Sequence, residues 1–246
     1  MTGRKEVDPL LRAVDAGTAE PVISVASSNP EALAGLLRLY ARAGMTIVDP
    51  TWGKGVFWAA IDTSDYDLRV SDLATDGIDF RQMPYANGAA HMVVLDPPYR
   101  YKPAAGTVKA SVDTCYRLSS SPDINSARAV IDLYGAGMRE AHRILKPYGF
   151  LVVKCQDTIE AGKQVWTHCE LMERGQAMGF VVKDLMVVVN PTPSPTRWSM
   201  HHHTRKGHSY FLVLRRDGLR TPGAKSTQIR NVPSEWDTAL EREVVA

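Results

Sequence analysis

The tetrad Asp96-Pro97-Pro98-Tyr99 follows directly on the apolar run Met92-Val93-Val94-Leu95. Proline cannot extend a strand's hydrogen-bond ladder, so the run reads as a buried strand and the tetrad as a rigid turn at its carboxyl end. Such a turn presents a carboxylate (Asp96), a peptide oxygen (Pro97) and an aromatic wall (Tyr99). Two acceptors of this kind suit an amino group attached to a planar ring. That nitrogen is a poor nucleophile because its lone pair is delocalised; acceptors for both N–H bonds pull it toward a pyramidal geometry with a localised lone pair. The simpler alternative for the tetrad is a strand-terminating turn, a setting that Asp also favours.

A second set lies upstream. Asp49-Pro50-Thr51-Trp52-Gly53-Lys54-Gly55 follows the short strand Thr46 to Asp49, and its glycines let the backbone approach a nucleotide-like ligand closely. It lacks the G-x-G-x-x-G spacing of dinucleotide-binding enzymes. It also lacks the G-K-[ST] of a phosphate-binding P-loop, because Gly55 follows Lys54. Asp72 ends the next strand, Leu68 to Ser71, about 20 residues past the turn, where an acid can accept two ribose hydroxyls. Asp79-Phe80, ahead of Met83-Pro84, could offer a carboxylate to an adenine amino group and an apolar face to its ring; Asp76 competes for the acidic role.

Elements that could hold these residues in place are legible around them. Ser28-Asn29-Pro30-Glu31 reads as a helix start, followed by Leu33, Leu36, Leu37 and Tyr40 at helical spacing, with Gly44 as the stop. Val56 to Ala60 reads as a further helix after the glycine turn. Val130, Tyr134, Met138, Ala141 and Leu145 form a helical stripe closed by Lys146-Pro147-Tyr148-Gly149, and residues 161 to 178 read as another helix before Gly179. Phe150 to Lys154, Val181 to Val189 and Tyr210 to Leu214 are apolar strands, the last two joined without a helix and so expected as an antiparallel pair at the sheet's end. Strands alternating with helices imply an α/β fold: a central, mostly parallel sheet with an antiparallel last strand and helices on both faces. Residues 100 to 125 have no sustained period, and a connection that long inside a compact domain is usually functional.

The 246 residues suffice for one well-buried domain, expected over residues 22–216, with a polar arm at 1–21 and an extended tail at 217–246. A formal net charge of +2 excludes a polyanion-coating protein, so any contact with nucleic acid must come from local clusters. Three widely spaced cysteines, Cys115, Cys155 and Cys169, fit reduced thiols in the cytoplasm better than a disulfide framework or a zinc site. No run of about 18 apolar residues is present, so neither secretion nor a membrane span is expected.

In this order the glycine turn, Asp72, Asp79-Phe80, Asp96 to Tyr99, Ile144 to Val153 and Lys206 to Leu214 resemble the class I S-adenosylmethionine-dependent methyltransferases. Within them the resemblance is to the amino-methyltransferases that modify adenine N6 or cytosine N4 in DNA. The ordered set covers about residues 28 to 215. The resemblance implies a Rossmann-like fold, S-adenosyl-L-methionine as cofactor and DNA as partner. It further implies Asp96, Pro97, Pro98 and Tyr99 as the catalytic set, and Asp49, Thr51, Gly53, Gly55, Asp72, Asp79 and Phe80 as the cofactor set. Asp in place of Ser at position 96 favours adenine, which must be swung out of the duplex to reach Tyr99. Thr51 and Trp52 depart from the family's commonest turn, which has Phe and a small residue there; Trp52 either covers the cofactor or packs in the core. An RNA base or a protein glutamine as methyl acceptor, and a non-catalytic nucleic-acid-binding module, remain alternative readings.

Two basic regions could contact phosphates. One follows Tyr99, with Arg100 and Lys102; the other carries Arg197, Arg205 and Lys206, with Trp198 and several histidines interspersed. A solvated loop explains either equally well. His201-His202-His203 lacks the spacing and cysteine partners of a structural zinc site, so no metal is expected.

Overall fold

The computed structural model describes residues 21–99, 124–190 and 202–218. The expected arm, the expected tail and most of the connection after Tyr99 lie outside those residues. Seven strands, β1 Val25–Ala26, β2 Thr46–Asp49, β3 Asp67–Val70, β4 Ala90–Leu95, β5 Leu145–Cys155, β8 Phe180–Val189 and β9 His208–Arg216, form one sheet in the order β1-β8-β9-β5-β4-β2-β3. All neighbours run parallel except β9, which is antiparallel to both β5 and β8. The antiparallel last strand is therefore present, but it is inserted between two strands, and the pair expected at the sheet's end sits one strand in from it. The edge is taken by β1, too short to register as a strand in the sequence.

Alternation of side chains divides the core in two. Met92, Val94, Phe150, Val152, Phe211 and Val213 face α1 (Asn29–Tyr40), which contributes Leu33, Leu36 and Leu37. Val93, Leu95, Leu151, Val153, Leu212 and Leu214 face α2 (Ala127–Ile144) and α3 (Thr167–Ala177). Helices on both faces explain why the central strands are apolar on both sides rather than alternating. Each fully buried large side chain here contributes ~1.5–3 kcal/mol. Ser28 caps α1 by accepting the Glu31 N–H, and Ser126 caps α2 by accepting that of Ala129 at 3.1 Å.

Three local expectations are corrected. Val56–Trp58 is a single 3-10 turn, not a helix. The helix expected over 161–178 begins at Thr167, because Thr158–Glu160 and Lys163–Val165 pair as an antiparallel hairpin, β6 and β7. Its two turn residues, Ala161 and Gly162, take φ of 48° and 74°, as a tight hairpin turn requires. Finally, β5 starts directly at the end of α2; Lys146 to Gly149 belong to the strand as an irregularity opposite β4, with Tyr148 at φ 65°.

Candidate active site

Chain order dictates where a ligand can sit. From β2 the chain goes to β3 on one side and then to β4 on the other, so the sheet order reverses between β2 and β4. In open α/β sheets such a reversal leaves a crevice beyond the carboxyl ends of the strands. Asp49 ends β2, while Asp72, Asp96 and Asp157 follow β3, β4 and β5 at that edge.

Asp49 is 3% exposed and fully hydrogen-bonded. Its Oδ1 accepts the Thr51 N–H at 2.9 Å and the Thr51 hydroxyl at 3.0 Å, and its Oδ2 accepts the Trp58 indole N–H at 2.8 Å. Burial pushes this carboxyl up to about 6 against those bonds, and the charge on Asp96 adds to the rise. The Thr51 Oγ1 in turn accepts the Asp96 N–H at 2.8 Å, so one hydroxyl ties the glycine turn to the start of the tetrad. Trp52 lies over Gly55, where a Cβ would come within 2.6 Å of its ring, and stacks on Trp58 at 6.4 Å between centroids.

Gly53 and Gly55 adopt φ of 55° and 66°, and the Gly53 N–H is held by Asp72 Oδ2 at 3.0 Å. Asp72 Oδ1 accepts the Ala74 N–H at 2.9 Å, and Asp76 accepts the Asp72 N–H at 2.9 Å. Two backbone donors leave the Asp72 carboxylate with further acceptor capacity, and Asp76 serves the turn. Asp79 is bound in fork fashion by Arg81, the shortest contact being 2.6 Å. Burial works against its charge, but the Arg81 bonds outweigh it and hold the carboxyl below the usual range. Phe80 is 7% exposed and packs where Gly137 has no side chain.

Asp96 is less provided for. Its side chain is 25% exposed, yet Oδ1 is enclosed with no hydrogen bond among the described residues; the Lys154 ammonium stands 3.5 Å from it. Burial raises this carboxyl above its ordinary range, with Lys154 opposing the rise. The Pro97 carbonyl receives the Tyr134 hydroxyl at 3.2 Å, and the same hydroxyl reaches the Lys154 carbonyl at 2.9 Å. Pro98 and Tyr99 are half-buried, and the Tyr99 ring faces the Lys154 ammonium at 5.0 Å.

Sequence reading missed Trp58, Tyr134 and Lys154. Tyr134 was visible only as one residue of an apolar helical stripe, whereas Lys154 had a signal, a charge closing the run Phe150-Leu151-Val152-Val153. A further group beyond β5 was also missed. Buried Asp157 accepts from His168 Nδ1 at 2.7 Å, and Tyr210 stacks on His168 at 4.4 Å. Next to them Trp166 is 55% exposed with the Lys206 ammonium over its ring at 5.5 Å. Of the expected phosphate contacts, Lys206 therefore borders this edge and Arg205 is exposed beside it, while Arg100, Lys102 and Arg197 lie outside the described residues. Among the described residues no helix is long and apolar enough to cross a membrane.

A mostly parallel sheet with one inserted antiparallel strand and a glycine turn after β2 defines the Rossmann-like class I methyltransferase fold. Solved structures of similar shape include a candidate DNA modification methylase from Thermus thermophilus, at 23% identity and TM-score 0.39, covering 61% of this chain and 55% of that one. That protein has also been solved with S-adenosyl-L-methionine. TrmN, from the same organism, matches at 18% identity and TM-score 0.45, over 76% of this chain and 48% of its own. The Burkholderia thailandensis 1,6-didemethyltoxoflavin-N1-methyltransferase matches at 13% and 0.46, over 78% and 79%. This chain thus spans about half the length of the first two. No protein-family model and no curated protein matches the sequence.

Proposed function

We propose that this chain is an S-adenosyl-L-methionine-dependent methyltransferase acting on an exocyclic amino group of a DNA base, adenine N6 in the first instance. The observation that carries the reading is the enclosed Asp96 oxygen, without a hydrogen-bond donor among the described residues, set beside the Pro97 carbonyl at the switch point of the sheet. A buried acceptor left open among the described residues is suited to a donor carried by the substrate.

In this reading Asp49, Thr51, Gly53 and Gly55 shape the cofactor cradle and Asp72 takes the ribose hydroxyls. Asp79 is assigned to the adenine end, its carboxylate oriented by Arg81, with Phe80 filling the core behind it. The cofactor, when bound, supplies an electrophilic methyl group on its sulfonium. Asp96 and the second lone pair of the Pro97 carbonyl accept the two N–H bonds of the substrate amine, localising the nitrogen lone pair for in-line attack. Pro98 keeps the turn rigid, and Tyr99 stacks on the extruded base. The amine's excess proton leaves after the new N–C bond has formed. Arg205 and Lys206 contact backbone phosphates, a role that the sequence also gives Arg100, Lys102 and Arg197. Free Cys155 and Cys169 suit the reducing cytoplasm.

The test is to incubate the purified protein with radiolabelled cofactor and separate pools of duplex DNA, RNA and protein, then to identify the methylated product by mass spectrometry. N6-methyladenine in the DNA pool is expected. Asp96→Ala should abolish transfer while leaving cofactor affinity within a fewfold; retained transfer would contradict the assignment.

A further inference from the structure

Lysine is almost never fully buried unless it is paired, and Lys154 is 6% exposed. It stands next to last in β5, on the face that carries Phe150 and Val152, where a hydrophobic residue would continue the pattern. Three groups surround its ammonium: the Phe57 ring at 5.2 Å, the Tyr99 ring at 5.0 Å and Asp96 Oδ1 at 3.5 Å. We propose that Lys154 is the positioning residue of this site, its ammonium fixing the orientation and charge of the Asp96 carboxylate and holding the Tyr99 ring where a planar substrate stacks. The identity of that substrate rests on the function proposed above; the pairing itself does not.

The choice of cation is informative. Arg81 closes Asp79 with a guanidinium that reaches both carboxylate oxygens. A guanidinium at position 154 would do the same to Asp96 and fill the lone pairs that an incoming amine needs. An ammonium is a compact point charge. At 3.5 Å, without hydrogen-bond geometry, it supplies the field and leaves Oδ1 open. The main chain of Lys154 is registered as well, because the Tyr134 hydroxyl bridges its carbonyl to that of Pro97.

The groups facing Asp96 set the sign of the effect. From β2 comes Asp49, joined through Thr51; from β5 come Lys154 and Cys155; from α2 comes Tyr134, at the Pro97 carbonyl; Tyr99 lies on the same loop. Lys154 is the cation among these described residues. The carboxylate is the form that accepts an N–H bond, so activity falls as pH drops through the Asp96 titration. Removing the ammonium moves that limb to higher pH.

Two measurements decide the matter. Carbon-13 carboxyl titrations of Asp-labelled protein, with the Asp96 signal identified by its loss in Asp96→Asn, need no substrate. In Lys154→Met the Asp96 midpoint should rise by about 1–3 pH units, the range an adjacent opposite charge commands. An unmoved midpoint overturns the proposal. Should the Met variant fail to fold, Lys154→Gln is titrated in its place. In methyl-transfer assays the acid limb of kcat should move by the same amount in Lys154→Met. Lys154→Arg should keep the wild-type limb yet lose about tenfold or more in kcat, because its fork occupies the carboxylate; full activity in that variant also overturns the proposal. If the wild type methylates no pool, the functional reading fails while the titration still decides the role of Lys154.

Discussion

Two carboxylates stand at the carboxyl ends of the neighbouring strands β2 and β4, share the Thr51 hydroxyl as a link, and are treated in opposite ways. Asp49 has three donors on its two oxygens, whereas among the described residues the enclosed Asp96 Oδ1 has an ammonium at 3.5 Å and no hydrogen bond. Asp49 therefore reads as a keystone of the glycine turn, and Asp96 as an acceptor held in readiness. The Asp-Pro pairs Asp49-Pro50 and Asp96-Pro97 differ in sequence only in what flanks them; the difference in bonding lies in the near donors Thr51 and Trp58, which fold back on Asp49, while among the described residues Asp96 Oδ1 receives no hydrogen bond.

The largest way to break the contrast is Asp49→Ala. It strands the Trp58 indole N–H and the Thr51 N–H, buried donors whose lost partners cost ~1–3 kcal/mol each, so a total of about 3–5 kcal/mol is expected. Urea unfolding near pH 4, where the raised carboxyl still contributes in full, measures it, and a loss below about 1 kcal/mol would reduce the keystone to an ordinary turn residue.

A second test uses pH. Burial raises the folded-state Asp49 carboxyl from 3.8 to about 6. A raised folded value means that its contribution to stability is complete below about pH 4 and is lost as pH rises through about 6, a span worth ~3 kcal/mol. Asp49→Asn cannot titrate. The stability of the wild type relative to this variant should therefore fall between pH 4 and pH 7; a flat difference would mean that Asp49 is not the titrating group.

How much of this was legible beforehand depended on whether the signal was local. Ser28 and Ser126 cap helices through their own first turns, and the apolar runs ending at Asp49 and Leu95 became strands ending there. Val56 to Ala60 misled because a short apolar run has no period of its own; its residues are drawn into a 3-10 turn by Phe57 packing on Phe211 and Trp58 reaching Asp49. The hairpin before α3 was hidden by Ala161, a helix former that here takes a left-handed φ because the turn demands it. At the site, Asp96 and Gly53 could be named from motif order. Tyr134 and Lys154 could not, since their partners lie 37 and 58 positions away in sequence, and only the sheet register sets those pairs side by side.

The glycine turn itself offers a paired test. Gly55→Ala meets two obstacles, a left-handed φ of 66° and a Cβ within 2.6 Å of the Trp52 ring, so about 2–3 kcal/mol is expected. Gly53→Ala meets only the first, its nearest neighbour being at 4.0 Å, and should cost about 1 kcal/mol. Equal losses would show that Trp52 yields to the added methyl and does not seal the turn.

The smallest effect belongs to the hydroxyl that couples the two sides. Tyr134 is fully buried in α2, and its hydroxyl lies 2.9 Å from the Lys154 carbonyl and 3.2 Å from that of Pro97. Tyr134→Phe keeps the ring and its packing, removes the hydrogen, and leaves these two carbonyls without it, at a cost of about 1–2 kcal/mol in unfolding free energy. Its effect on methyl transfer should be larger than that on cofactor binding, because the hydroxyl holds the tetrad against β5 and touches nothing in the glycine turn. A fall in kcat with cofactor affinity unchanged is the expected pattern. Equal losses in both would show that the acceptor loop and the cofactor cradle move as one body, erasing the distinction between Asp49 and Asp96.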